Sequence, residues 1–429
     1  MFYSKLSLAS LLSNKKQYTS LFIVCLVGTA LILSATMITD GMLSSVRQKA
    51  RQYYGGDIQF LGGNRSFDIK NPDEIILKLD NAIEQKKVFY KRYDYDAKNT
   101  LLYFEGESVR QRVFKGVDFE AEKELFSKFN FLEGDAKSIP EHNSIVISSP
   151  IAEKLGIKSG DSITLQIRTV YGYTNTINLI VTGIFKDSSI FGMYTSYIDI
   201  DALRSATGYP KNYVNRICIL FKNGVPSDNE IRKIQKTLEK DFNIYPQTDD
   251  KNIFYDALLK DKTQKMPLYA LITLDTNIKD LEMLIDALKT VVILITIILL
   301  AIISVGIASS YRVIVMKRIT EIGIYRALGM KHSGVRKLFL TESFLLIIIS
   351  FIASSMLSAL ICVTLAQFKL SFIPAFDIFL TEGHLLSKVK PIKLLLLLLV
   401  IIVTTLGSIL FTIRKAIKIS PVGALATTA

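Results

Sequence analysis

Four stretches of this 429-residue chain, 17–39, 290–311, 343–368 and 394–413, run without a single charged side chain. A helix needs about 20 apolar residues, each rising about 1.5 Å, to cross a hydrocarbon core, so each stretch is long enough to be a membrane span. Between the first two lies a segment of different texture, charged and rich in turn residues, and long enough to build its own core. Runs of β-branched and aromatic residues bounded by Gly, Asn and Asp predict strands over 57–60, 100–104, 144–148, 162–169, 177–185, 196–200 and 216–221. Apolar residues at helical spacing predict helices over 73–85, 119–129, 149–155, 201–207, 229–242 and 278–289. The two kinds alternate irregularly, which points to an α+β domain. Tyr171-Gly172-Tyr173 falls between two strand candidates and reads as a short hairpin tip.

Charge then orients these pieces. The chain carries 52 Lys and Arg against 39 Asp and Glu, a net +13. Lys5, Lys15 and Lys16 precede the first span, while Arg312, Lys317, Arg318, Arg326, Lys331, Arg336 and Lys337 share the segment 312–341 with one acid, Glu321. Arg414, Lys415 and Lys418 follow the fourth span, so these three short segments hold +12 of the +13. Basic residues crowd the cytoplasmic flanks of spans, which places both termini and 312–341 inside and the large domain outside. The basic balance is therefore explained by topology, and no nucleic-acid partner is expected. The resulting organisation is a cytoplasmic amphipathic elbow (1–16), a first span (17–39) and an extracytoplasmic α+β domain (40–289). A second span (290–311), a cytoplasmic coupling loop (312–341), a third span (342–368), an outer loop (369–393), a fourth span (394–413) and a tail (414–429) complete it. The first apolar run also has the lysines and small residues of a cleavable signal peptide, but it is longer than a signal core and lacks a clear small-x-small cleavage site, so a retained span is expected.

Candidate chemistry is sparse. Cys25, Cys218 and Cys362 are scattered, as are His142, His332 and His384, which leaves no metal motif and little material for nucleophilic catalysis. The phosphate-binding pattern G-x-x-x-x-G-K-[ST] is absent, as are G-x-S-x-G and H-E-x-x-H. The interiors of the spans carry no Asp, Glu, Lys, Arg or His, unlike those of an ion-coupled carrier. They do carry small residues at helical spacing, Ala301, Ser304 and Ala308 in the second and Ser350, Ser354 and Ser358 in the third, which let helices approach closely either within one subunit or between two.

The most informative segment is the coupling loop. Ile319, Ile322, Ile324, Tyr325 and Leu328 continue a helical apolar pattern past the second span, Gly329 offers a C-terminal stop, and Ser333 is placed to cap a new helix running into the third. The run E-I-G-I-Y-R-A-L-G-M at 321–330, followed twelve residues later by Glu342-Ser343, resembles the signature of the FtsX-like permeases, a family that includes the MacB exporters and the lipoprotein-releasing (Lol) permeases. Leu8-Ala9-Ser10-Leu11-Leu12-Ser13-Asn14-Lys15-Lys16, Gly116-Val117-Asp118, the stretch 145–161 and Ser420-Pro421-Val-Gly-Ala-Leu425 resemble other parts of that family, so the resemblance covers nearly the whole chain.

The resemblance implies a mechanotransmission ABC transporter in which two permease subunits, identical or paralogous, bind two copies of an ATPase subunit. ATP and Mg are then held by that partner and no cofactor by this chain, which would be a transport subunit and not an enzyme, in keeping with the missing phosphate-binding loop. Glu321, Gly323, Arg326, Gly329, Met330, Lys331, Ser333 and Arg336 are implied as the ATPase-coupling residues. MacB proper carries a fused ATPase ahead of its first span, where this sequence has about 17 residues, so a stand-alone permease is expected, and the one-plus-three arrangement of spans is similar to that of the Lol permeases of the inner membrane. The expected cargo is a lipoprotein, with membrane lipid beside it and its acyl chains taken up near Ile32, Ala35, Met37 and Ile38 of the first span and Val292, Ile295 and Ile298 of the second. A periplasmic carrier is a further implied partner, although the hairpin at 166–177 is too short for the protruding hook that docks one. MacB-like efflux and FtsX-like activation of a wall hydrolase are the alternatives.

Overall fold

The computed structural model describes residues 7, 10–11, 13–64, 66–96, 100–135, 143–187, 189–193, 195–260, 266–370 and 374–416. His142, Lys418 and the 420–425 ending lie outside the described residues, as does most of the N-terminal elbow. The chain forms two units. One comprises Met1–Leu43, Leu284–Lys369 and His384–Ala429, the other Ser44–Met283 and Leu370–Gly383.

Four helices build the first unit: Lys15–Tyr54, Glu282–Lys317, His332–Ala366 and Pro391–Ala416, each long and apolar enough to cross a membrane. The first and second outrun the charge-free stretches that announced them, because a charged side chain ends an apolar run without breaking a helix. Their shared core joins Tyr18, Leu21, Cys25 and Ile32 of the first helix to Ile303, Ile307, Tyr311 and Ile314 of the second, with Phe339 and Leu346 of the third and Ile409 and Ile413 of the fourth. Close approach is built in by Gly28, where a Cβ would stand 2.4 Å from Ile303 Cγ1. At the end of this unit Asp40, buried, takes Lys393 Nζ at 2.6 Å and Lys390 Nζ at 3.2 Å.

The second unit is a mixed sheet with flanking helices. From edge to edge its strands are Leu268–Thr273, Ile58–Gly63, Arg216–Phe221, Lys87–Asp96, Val113–Val117, Thr195–Asp199, Ser144–Ser148, Thr174–Phe185, Ser162–Arg168, Leu101–Phe104 and Glu107–Arg110, and Phe131–Gly134 also pairs with Thr174–Phe185. Most neighbours are antiparallel, but Thr195–Asp199 runs parallel to Val113–Val117, and Ser144–Ser148 parallel to Thr174–Phe185. Helices Pro72–Ala82, Ser149–Leu155, Ile200–Thr207 and Asp228–Leu238 bury Ile75, Leu79, Ile151, Leu155, Leu203, Ile231 and Ile234 in the sheet's main core. The architecture is thus four transmembrane helices with a large α+β domain inserted between the first and second, as the pattern predicts. Residues 171–173 close the hairpin between Ser162–Arg168 and Thr174–Phe185, with Thr169 N–H donating to Tyr173 O at 2.7 Å.

Two expectations change. The helix expected over 119–129 is a single turn, Lys123–Phe126, because Phe119, Phe126 and Phe129 cluster with Tyr197 and Phe185 in a compact loop and not along one helix face. The outer loop expected over 369–393 divides, with Leu370–Gly383 belonging to the soluble unit. There Lys49 Nζ holds Asp377 Oδ2 at 2.9 Å and Asp187 Oδ1 at 3.2 Å, and Ser45 Oγ lies 2.6 Å from Thr381 Oγ1.

Candidate functional site at the elbow between the second and third helices

The second helix breaks at Arg318 and restarts as the short helix Ile319–Ala327. Gly329, with φ +91°, ends it: Gly329 N–H donates to Arg326 O and Met330 N–H to Tyr325 O, both at 3.0 Å. This reciprocal pair satisfies the last carbonyls and needs a left-handed residue at Gly329. The expected stop is therefore in place. The expected cap is not, since the third helix begins at His332 with Lys331 at the N-cap position and no capping side chain. Ser333 lies inside the first turn, because the residues after Gly329 reach helical geometry two positions earlier than a cap at Ser333 requires.

Arg318 organises the elbow. Its Nε donates to Glu321 Oε2 at 2.8 Å, Nη1 to Tyr18 OH and Glu342 Oε2 at 2.7 Å each, and Nη2 to Ser10 Oγ at 2.8 Å. Tyr18 OH in turn donates to Glu342 Oε2 at 2.5 Å, and the guanidinium lies 4.8 Å from the Phe339 ring centre. Arg318 and Glu342 are all but inaccessible. One planar fork thus ties together the N-terminal segment, the first helix, the elbow helix and the third helix, a task that its fixed donor geometry suits and that a lysine could not perform.

The coupling residues read from the sequence gather around this fork in different ways. Glu321 is bound to Arg318, Gly323 is buried, Arg326 Nη1 lies 2.7 Å from the His332 ring nitrogens, and Met330 packs half-buried against the helix core. Lys331 and Ser333 are exposed and Arg336 half-buried. The apolar pattern divides as well: Ile322 faces inward, whereas Ile324 is 49% and Leu328 80% exposed. The elbow is thus held from within, and its outer face mixes these two apolar side chains with the exposed Lys331, Ser333 and Lys337. Tyr18 and Arg318 were not singled out by the sequence, where each is one more residue of an ordinary helix end.

The membrane helices place the remaining residues. Ser350, Ser354 and Ser358 face inward, with Ser354 Oγ donating to Leu26 O of the first helix at 2.8 Å. Ala301 is exposed and Ser304 and Ala308 half-buried. Ile32 lies in the helix core, Ala35, Met37 and Ile38 are half-buried, Val292 is half-buried, and Ile295 and Ile298 are exposed.

In the soluble unit, Arg92 is fully buried with Glu122. Its Nε reaches Glu122 Oε1 at 2.9 Å, and its Nη1 donates to Tyr53 O at 2.9 Å at the end of the first helix. Burial raises the Glu122 carboxyl against the pull of Arg92. For Asp94 burial is also the largest influence and an upward one, but Lys115 at 2.6 Å and Arg216 at 3.6 Å outweigh it and hold the carboxyl below its ordinary value. Among the described residues no cluster of His, Cys, Asp and Glu could hold a metal ion.

Two family models divide the chain between them. The MacB-like periplasmic core domain matches residues 23–237, half of the chain, and the FtsX-like permease C-terminal model matches 292–421, which contains the elbow. The chain belongs to the FtsX/MacB-type family of ABC transporter permeases. The permease is also similar to the periplasmic region of MacB from Actinobacillus actinomycetemcomitans, at 10% identity and a TM-score of 0.31, over 54% of this chain and 95% of that one. No curated protein matches it.

Proposed function

We propose that this permease lifts lipid-anchored proteins from the outer leaflet of the inner membrane, driven by an ATPase carried on a separate chain. The observation that carries this reading is the start of the second helix. Val291, Ile293, Leu294, Ile295, Ile297 and Ile298 are each 43–58% exposed. At about 100° per residue these positions span an arc of about 200°, more than half of the helix circumference, while Val292, Thr296 and Leu299 on the remaining face are half-buried. Such a surface suits cover by lipid, by a second permease subunit and by acyl chains, each buried CH₂ of which contributes about 0.8 kcal/mol. The plain hairpin at 169–173 fits a subunit that does not itself dock a carrier. The exposed Ile324 and Leu328 of the elbow offer the ATPase its footing, with both termini on the same, cytoplasmic, side.

Photocrosslinkers at positions 37 and 295 test the reading. During ATP turnover in the reconstituted complex, position 295 is expected to capture a lipoprotein through its acyl chains. If both positions capture only phospholipid, lipoprotein release is the wrong cargo class and efflux replaces it.

A further inference from the structure

Within the helical unit, the end of the first apolar run and the start of the fourth helix form a charged cluster. The sequence Lys388-Val389-Lys390-Pro391-Ile392-Lys393 stands directly before the charge-free run 394–413, and Asp40 directly after 17–39, so both lie where hydrocarbon gives way to water. The segment is seated closely on the first helix: Lys388 N–H donates to Met37 O at 2.9 Å, and a Cβ at Gly41 would overlap Leu386 O. Lys390 and Lys393 both turn their ammonium groups to the same oxygen of Asp40, Oδ1, at 3.2 and 2.6 Å. Asp40 is 2% exposed, whereas each lysine side chain remains 45% exposed. Neither ammonium has another hydrogen-bond partner among the described residues, so each keeps two of its three donors for a further group.

This arrangement runs against two general tendencies. Because the third helix crosses the membrane in between, the cluster lies on the side opposite the basic elbow, against the bias that gathers lysines on one flank. Lys393 also falls in the first turn of its helix, which holds no acid, and a cation there opposes the helix dipole. Two ammonium groups set against one carboxylate leave a single positive charge and open donors, and the complement of both is an anion.

We propose that Lys390 and Lys393, held in place by Asp40, bind the phosphate of an anionic phospholipid headgroup. Depth selects the lipid as the source, since the phosphate layer of a bilayer lies at the level where the apolar runs end. Because both ammonium groups share one oxygen of Asp40, one phosphate can accept a hydrogen bond from each, and charge-assisted bonds of this kind are the strong ones. A zwitterionic headgroup carries its own cation beside the phosphate and gains less from a positive site. Asp40 is a positioning residue: it fixes two long side chains in advance, which lowers the ordering cost of binding. The site stands whatever the cargo of the permease.

The test places a photocrosslinker at Val389, which is 51% exposed, in the full-length protein in nanodiscs of equal parts phosphatidylglycerol and phosphatidylcholine, and identifies the captured lipid by mass spectrometry. Phosphatidylglycerol is expected to exceed phosphatidylcholine about tenfold, the worth of one charge-assisted hydrogen bond. Lys390→Gln keeps the shorter Lys393 contact on Asp40 and makes the cluster neutral, so capture should fall to parity. Adding Asp40→Asn to Lys390→Gln restores the single positive charge and should recover a preference of about threefold, a reversal that a disturbed fold could not produce. Equal capture of the two lipids by the parent, an unchanged preference in Lys390→Gln, or a double variant no better than Lys390→Gln would each overturn the site. A preference abolished by excess glycerol phosphate would overturn it too, since the cluster would then take a soluble phosphate and not a lipid.

Discussion

Arg318 and Glu342 form an ion pair, Nη1 to Oε2 at 2.7 Å, in which neither side chain is more than 1% exposed. Removing one partner of such a pair strands the other charge, at a cost of about 3–5 kcal/mol, whereas replacing both by apolar groups is often close to neutral. Glu342→Gln should therefore lower the thermal midpoint of the detergent-solubilised chain clearly. The double change Arg318→Met with Glu342→Met should lower it less. A Glu342→Gln variant as stable as the parent would show that the pair does not hold the elbow.

Gly329 has open space around it, with nothing within 4 Å of where a Cβ would be, so a side chain there meets only backbone strain at φ +91°. Left-handed geometry costs a bulky residue about 1–2 kcal/mol, and asparagine less. Gly329→Val should uncouple ATP hydrolysis from transport in the assembled complex while Gly329→Asn retains both, read as cargo released per ATP. Equal coupling in the two variants would argue against the turn as a transmitting joint.

Leu328, 80% exposed, can be changed without disturbing the fold. Leu328→Asp should leave thermal stability within about 0.5 kcal/mol of the parent, as exposed substitutions do, yet weaken co-purification of the ATPase. Undiminished co-purification would move the docking surface elsewhere.

The acid response of the soluble unit has a definite sign. Asp94 has a folded value below its ordinary 3.8, so its contribution is complete above that value and is lost as the pH falls through the folded one. Asp94→Asn, which leaves buried Lys115 without its counter-charge, should cost about 3 kcal/mol at neutral pH. In urea unfolding followed by circular dichroism, the gap between parent and variant should narrow once the pH drops below 3.8. Cys218 supplies an independent readout. It is fully buried, and burial pushes its thiol up to about 12, so with Cys25 and Cys362 replaced by alanine a thiol reagent at neutral pH should label Asp94→Asn faster than the parent.

The proposed orientation is checked at Ser66 and Lys331, both exposed. Single cysteines there, without the native three, should divide under an impermeant thiol reagent on intact cells, with position 66 labelled and position 331 protected. Labelling at 331 would reverse the orientation.

Legibility in the sequence followed the range of the forces involved. Strands Ser144–Ser148 and Arg216–Phe221 and helix Ser149–Leu155 emerge residue for residue, because each is a local run of one periodicity bounded by its own stop signals. Lys87–Asp96 was missed. Its sequence K-V-F-Y-K-R-Y-D-Y-D reads as a charged surface segment, yet it is a central strand, since Arg92 and Asp94 are accepted into the interior by Glu122, Lys115 and Arg216 from other strands and loops. Edge strand Leu268–Thr273 was missed for the related reason that its partner, Ile58–Gly63, lies about 200 residues earlier.

By itself the sequence determined the four apolar spans, the inserted domain, the side on which charge accumulates and the stop at Gly329. Each of these follows from the transfer of a residue and its near neighbours between water and an apolar phase, a property carried by local composition. Only the tertiary structure decided that Arg318 binds Ser10, Tyr18, Glu321 and Glu342, that Leu328 faces outward while Ile322 faces inward, and that Leu370–Gly383 joins the soluble unit through Lys49 and Asp377. Those choices depend on which distant groups arrive together, and a buried charge is stable only where its partners are delivered by the fold.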